Sequence, residues 1–316
     1  MRRLKKRYVF LTIVLAGLVS LCLVRWHAWF DMPPEPEWTG PVRDYVFPMY
    51  ENDTTPQSFD MLILGDIHSR LTVDDYNTLA ERVPQADVVA QVGDWMQWGQ
   101  NYYYQLLLQE WLPSKLFGLP VIATPGNHEY TKGLFKHCTE PWLHAFQYPE
   151  NGPEGVPGAT YYMDLPAIRL IVIDTNPLWR VVHLTRTLTW VKRLMRDAGD
   201  RYVVVMMHHP VHSAAKGRFN ALIYSTFSHA LGRADLVIAG HDHSYMRRNP
   251  FVVLNTAGHV KTQRGGLHAQ AADTCAVYAV LSVQKPLLPD QKPELEFRTY
   301  RLSDGTIIDS LYVNHD

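Results

Sequence analysis

Five short clusters of oxygen- and nitrogen-donor residues punctuate this chain, each at the end of an apolar run. They are Gly65-Asp66-Ile67-His68, Gly93-Asp94, Gly126-Asn127-His128-Glu129, His208-His209-Pro210 and Gly240-His241-Asp242-His243. Carboxylates, an amide and imidazoles together are donors for first-row cations, and the mixture suits Mn, Fe or Zn without choosing among them. Taken singly, each cluster has a plainer use. Asp66 and Asp94 could cap the helices that follow them, and Asn127 could serve the turn after Pro125-Gly126. His241 and His243 alternate as on a strand end, which would put both on one face. Those separate uses do not explain why all five clusters occupy equivalent places along the chain.

The elements that must position them alternate strand and helix. Residues 61–64, 86–92 and 120–123 read as short buried strands, with helices over 73–82 and 102–117. The second half repeats this, with strands over 160–163, 168–173, 202–207 and 235–239 and helices over 184–196 and 220–231. Strand-like runs at 251–254, 274–281, 294–300 and 306–313 follow, the last two joined by the turn Ser303-Asp304-Gly305. Short apolar runs broken by Gly or Pro and interleaved with helices argue for parallel strands buried on both faces. In open α/β sheets, groups at the carboxyl ends of strands line the ligand crevice, and all five clusters lie there. The pattern predicts one domain over residues 45–316, with two facing mixed sheets between outer helices.

At 316 residues the chain can bury a sizeable core, and its 47% hydrophobic and 19% charged content is that of a folded protein. Six of its 30 basic residues lie within the first 30 positions, where no acidic residue occurs. The rest of the chain therefore sets 24 basic against 31 acidic side chains, which makes it a poor candidate for nucleic-acid binding through a basic face, and no nucleic acid is expected as a partner. Residues 8–24 carry no charge and follow Arg2, Arg3, Lys5, Lys6 and Arg7. Seventeen residues would span roughly 26 Å as a helix at about 1.5 Å per residue, the short end of a bilayer crossing. Residues 1–30 are thus expected to be a basic region and transmembrane signal-anchor. The N-terminus would be cytoplasmic and the domain periplasmic or extracellular. No small-x-small cleavage site ends the run, although a cleaved signal peptide, giving a secreted protein, is the alternative. Residues 31–44, rich in proline, read as a linker. Three cysteines (Cys22, Cys138, Cys275) imply no disulfide framework; the last two are either a pair or two free thiols.

As a set, the five clusters resemble the calcineurin-like metallophosphoesterase superfamily. The resemblance implies a four-layer α/β/β/α sandwich and a phosphate-ester hydrolase using two divalent or trivalent metal ions. Carried over position by position, metal one takes Asp66, His68, Asp94 and His243. Metal two takes Asp94, Asn127, His208 and His241, and Asp94 bridges. A metal-bridging hydroxide would be the nucleophile, and His128 would point at the phosphate to protonate the leaving oxygen. His208, two residues before Pro210, is preferred over His209 as the ligand; Glu129 is expected to hold its loop.

Departures refine the comparison. Protein serine/threonine phosphatases carry Gly-Asp-x-x-Asp-Arg-Gly, where this chain has Gly93-Asp94-Trp95-Met96-Gln97-Trp98-Gly99. The carboxylate that would orient His128 is missing. The segment Gly240-His-Asp-His-Ser-Tyr-Met-Arg247 is similar to a purple acid phosphatase motif, yet Gln97 stands where those enzymes have a tyrosinate ligand. No Fe(III)–tyrosinate colour is expected. His212 and Arg247 are candidate substrate contacts, and Trp95, Trp98 and residues 102–104 line either the cleft or the core. A phosphomonoesterase is favoured. The alternatives are a phosphodiesterase of cyclic nucleotides or phospholipid-derived diesters, and a catalytically silent membrane-anchored binding protein.

Overall fold

Runs of aliphatic residues build two sheets in the computed structural model. It describes residues 12–20, 58–132, 137–138, 140–156, 158–165, 167–213, 227–258, 270–284 and 293–313. The first sheet has six strands in the order β15-β14-β13-β1-β2-β3. These are β1 (Phe59–Leu64), β2 (Val88–Gln91), β3 (Val121–Ala123), β13 (Val277–Gln284), β14 (Glu294–Arg301) and β15 (Ile307–Val313). The second has seven, in the order β12-β10-β11-β9-β8-β7-β6. They are β6 (Tyr161–Leu165), β7 (Ile168–Ile173), β8 (Tyr202–Met207), β9 (Leu236–Ala239), β10 (Tyr245–Arg248), β11 (Phe251–Val253) and β12 (Ala271–Asp273). A two-stranded ribbon pairs β4 (Thr131–Lys132) with β5 (His137–Cys138).

Both large sheets are mixed. β1, β2 and β3 run parallel, as do β7, β8, β9 and β11, while β13, β14 and β15 in the first sheet and β6, β10 and β12 in the second pair antiparallel to their neighbours. Side-chain alternation divides the second sheet between two cores. Ile168, Leu170, Val172, Val204, Met206 and Ile238 join the core shared with the first sheet. Ile171, Ile173, Val203, Val205, Met207 and Val237 instead pack with Trp190, Val191 and Leu194 of a helix. That helix is α4 (Val181–Arg196); earlier helices of the domain include α1 (Val73–Arg82), α2 (Asn101–Trp111) and α3 (Glu140–Ala145). The expected sandwich of two mixed sheets with helices is the observed fold.

Some boundaries differ from expectation. α2 ends at Trp111 rather than 117, because Pro113 has no N–H to continue the ladder. α4 begins three residues earlier than its periodicity suggests, since Val181 and Val182 are exposed and break the apolar stripe. Of the helix expected over 220–231, residues 227–231 are helical and the remainder lies outside the described residues. Neither aspartate caps a helix. Thr72 caps α1, its Oγ1 accepting from the Asp75 N–H while Asp75 accepts from the Thr72 N–H. Gln100 precedes α2 without a side-chain cap.

Of the apolar run 8–24, residues 12–20 are helical and exposed. The rest of it, and the linker 31–44, lie outside the described residues. Among the described residues no helix is long and apolar enough to cross a membrane. Cys275 is a free, half-buried thiol, so the pairing with Cys138 is not formed.

Candidate metal centre

Each strand that points into the cleft delivers its donor on a loop just past its carboxyl end. β1 is followed by Asp66 and His68, β2 by Asp94, β3 by Asn127 and His128, β8 by His208, and β9 by His241 and His243. The loops are strained where it matters. Asp66, His68, Asp94, His241 and His243 all have positive φ, from 52° to 72°, a region L-residues enter only at about 1 kcal/mol or more each. The strand-end alternation expected for His241 and His243 is therefore not the device. They sit in a left-handed loop before β10, and they serve different groups. Two glycines permit the close approach. A Cβ on Gly93 would lie 2.4 Å from His208 Nδ1, and one on Gly126 would lie 2.2 Å from Asp94 Oδ1.

The donors gather as two adjoining groups. Asp66, His68, Asp94 and His243, all buried, offer ligand atoms within 4.8 Å of one another. His208, His209 and His241 form the second group under the same limit. In the first, His68 Nε2 lies 3.0 Å from His243 Nε2 and 3.7 Å from Asp94 Oδ2. His243 Nε2 lies 3.6 Å from Asp66 Oδ1. In the second, His208 Nε2 lies 3.1 Å from His241 Nδ1. Asp94 joins the two, since its Oδ2 is also 3.2 Å from His208 Nε2.

Asn127 sits between two residues that touch Asp94. Gly126 packs against that carboxylate, and the His128 N–H donates to Asp94 Oδ1 at 2.9 Å. Its own Oδ1 is buried with no hydrogen-bond partner. A buried amide oxygen left without a donor is costly, and a cation would satisfy it.

Carbonyl partners set the histidine tautomers. His208 Nδ1 faces the Val92 carbonyl at 3.0 Å. A carbonyl only accepts, so Nδ1 carries the proton and Nε2 is turned toward Asp94, the orientation a metal-binding histidine needs. Burial pushes the His68 pKa down to about 3, so this imidazole is neutral. Burial acts the same way on His208, but the Asp94 charge and hydrogen bond outweigh it and hold its pKa up at about 9. Burial would raise the Asp94 carboxyl, yet His208 beside it keeps it below the usual carboxylate range. In the metal-free protein, a proton on His208 thus occupies part of the space where a cation would bind Asp94.

His128 is half-buried, with Nε2 3.9 Å from Asp94 Oδ2. What orients it, in place of the missing carboxylate, is the main-chain carbonyl of Gln97, which accepts from Nδ1 at 2.5 Å. Glu129 is buried and holds its loop. Its Oε2 accepts from the Asp94 and Gly126 N–H groups and its Oε1 from that of Met96. Burial and the nearby Asp94 push its pKa up to about 7.

Other sequence expectations fare differently. Arg247 is engaged by protein partners at each nitrogen of its guanidinium. Asp309 takes its guanidinium at two points, 2.5 and 3.0 Å, with Asn249 and Gln270 on the remaining nitrogen. β10 puts it beside β15, where it ties one sheet to the other. His212 packs edge-on against Phe251 and meets Ser228 Oγ at 3.2 Å. Phe251 belongs to the core beneath α4, so His212 lies on the outer face rather than in the cleft. The aromatic segment divides. Trp95 and Tyr104 are core, Tyr102 is exposed, and Trp98 lies against His128 with ring centroids 4.8 Å apart.

Two features were missed. His209, set aside in favour of His208 as the ligand, lies within the second group, its Nδ1 2.7 Å from Thr175 Oγ1. Asp174, at the end of β7, is buried with its pKa pushed up to about 6. It accepts from Tyr130 OH and Asn176, whose Nδ2 also donates to the Pro125 and Gly126 carbonyls. This braces the Asn127 loop. The rule that strand ends carry the site applied equally to Asp174 and would have found it.

A family model described as calcineurin-like phosphoesterase matches residues 59–245. A glycerophosphodiester phosphodiesterase, GpdQ, of Enterobacter lignolyticus is 32% identical over 140 residues, 44% of this chain and 46% of that protein. The match thus spans less than half of that relative. The purple acid phosphatase PPD1 of yellow lupin (Lupinus luteus) superimposes with a TM-score of 0.65 at 15% identity, over 83% of this chain and 55% of that one. GAP50, the anchor in the inner membrane complex of Plasmodium, gives 0.59 at 12% identity over 82% and 89%. At these identities the two structures share the fold.

Proposed function

Because the chain belongs to the calcineurin-like phosphoesterase family, we propose that it hydrolyses phosphate esters with two metal ions. The observation that carries this is the position of Asp94 Oδ2, within 3.2 Å of one histidine group and 3.7 Å of the other. One group would hold a cation through Asp66, His68, Asp94 and His243. The other would use Asp94, Asn127, His208 and His241, with His209 at its margin. Bound there, the cations would neutralise phosphoryl oxygens and acidify a water. The protein's own part is orientation. Val92 and Gln97 hold His208 and His128 by their carbonyls, Glu129 fixes the Asp94 loop, and His128, protonated on both ring nitrogens, would give the Nε2 proton to the leaving oxygen and keep the Nδ1–H on the Gln97 carbonyl.

The diester reading gains on the monoester reading. The relative named for a phosphodiester is 32% identical, whereas the likeness to a purple acid phosphatase is one of fold. A panel of aryl monoesters, aryl diesters and glycerophosphodiesters, each with Mn, Fe and Zn, tests this. Faster turnover of diesters is expected. Exclusive monoester turnover would restore the first reading, and no turnover with any metal would favour a binding protein.

We also propose that residues 8–24 anchor the domain to a lipid bilayer, with the catalytic domain on the outer side. The support is the uncharged run, the basic residues before it and the helical state of residues 12–20. The full chain should stay with membranes after alkaline carbonate washing, and release into the supernatant would refute the anchor.

A further inference from the structure

We infer that Trp98 is a positioning residue for His128, and that the Gln97–Trp98 loop supplies by packing what a carboxylate would supply by charge. The inference rests on the phosphoester hydrolase reading, in which His128 serves the leaving oxygen.

A neutral carbonyl holds an imidazole less firmly than a carboxylate does, and the His128 ring is partly open, with 19% of its side chain exposed. Histidine χ2 is a broad torsion, so one hydrogen bond at Nδ1 leaves the ring free to tilt. Two faces stop it. The Trp98 ring lies at 4.8 Å with a 32° tilt, and the His68 ring meets it edge-on at 4.6 Å and 88°. His68 belongs to the metal group, and Trp98 is the contact on the other side of the His128 ring. Its neighbours Trp95 and Met96 belong to the main core, and Trp98 itself is half-buried at its margin. The loop is held from behind. The Gln97 N–H donates to Ser69 Oγ at 3.2 Å, and the Ser69 N–H donates to the Trp95 carbonyl at 2.8 Å.

Misplacing a proton donor by a fraction of an ångström hurts most where protonation matters most, that is, with the poorer leaving group. The test compares phenyl and 4-nitrophenyl esters, of whichever ester class the enzyme turns over, in the metal-loaded full chain. Trp98→Ala should lower kcat on the phenyl ester by about ten- to a hundredfold and on the 4-nitrophenyl ester by only about threefold. Trp98→Phe should recover most of the loss, and metal content should not change. Ser69→Ala, which frees Gln97 without removing the indole, should show the same leaving-group selectivity more weakly. An independent readout is the imidazole nitrogen spectrum, with the His128 signal identified by its loss in His128→Ala. The wild type should show a single hydrogen-bonded Nδ1–H signal and Trp98→Ala a broadened, averaged one.

His128→Ala separates the two claims. If it slows both esters equally, the acid role assigned to His128 fails. If His128→Ala is selective for the phenyl ester while Trp98→Ala slows both equally or neither, Trp98 does not position His128. Should Trp98→Ala prove insoluble, the same comparison on Trp98→Phe and Ser69→Ala decides: selectivity in Ser69→Ala supports the inference, and its absence there overturns it.

Discussion

The two walls of the cleft are built from the same kind of strand end yet carry different chemistry. The first sheet contributes Asp66, His68, Asp94 and Asn127, mostly oxygen donors with one neutral imidazole. The second contributes only histidines: His208, His209, His241 and, crossing over, His243. The oxygen-rich group is ready for a cation, because burial has already stripped His68 of its proton. The histidine group is not, because Asp94 keeps a proton on His208. The two positions should therefore differ in how they load, although both lean on Asp94.

The sharpest way to break the comparison is to remove that shared carboxylate. Asp94→Asn should lose both cations by elemental analysis and lower hydrolysis by about a thousandfold or more, since the charge stabilisation depends on the pair. Loss of one metal with the other retained would show that the groups are independent. pH sharpens it next. Below about 9 a cation entering the histidine group must displace the His208 proton, so affinity there should weaken about tenfold per pH unit, with proton release seen by calorimetry. The oxygen-rich group should show a shallower dependence over the same range. The metal-free protein should behave in the opposite sense. The folded His208 pKa lies above its unfolded value, so the paired proton stabilises fully below about 6.5 and that stabilisation is lost as pH rises through 9. Thermal melts of metal-free protein at pH 7 and 10 would show this decline.

Smaller effects test the supports. Glu129→Gln replaces a carboxylate that accepts three backbone N–H groups, and should cost about 2 kcal/mol in denaturant unfolding. Metal affinity should fall in both groups, since the Asp94 loop serves both. Arg247→Ala should change kcat and KM by less than about twofold while lowering stability by about 1–3 kcal/mol, because its partner is Asp309 rather than substrate. A large rise in KM would reinstate it as a substrate contact.

How much of this was legible depended on whether the signal was local. α1 and β8 end where their periodicity and flanking residues say they should, because capping and strand breaking are decided within a few residues. Arg247 and His212 misled because they follow motif residues in sequence, while β10 and the loop after β8 carry them away from the cleft. Gln97 could not be read at all. Its role belongs to its backbone carbonyl, and any residue type carries one.

The sequence by itself determined which donors end which strands, and so that Asp and His side chains suited to cations gather between two sheets. Side-chain period and strand breakers act over short spans, so they can be read along each half of the chain. The motif resemblance already joined Asp94 to His208 and parted His241 from His243; tertiary structure alone decided how those donors are brought together, and that a carbonyl stands in for an absent carboxylate. Those outcomes depend on left-handed loops and on the approach of the two sheets at Gly93 and Gly126, distances that no spacing along the chain encodes.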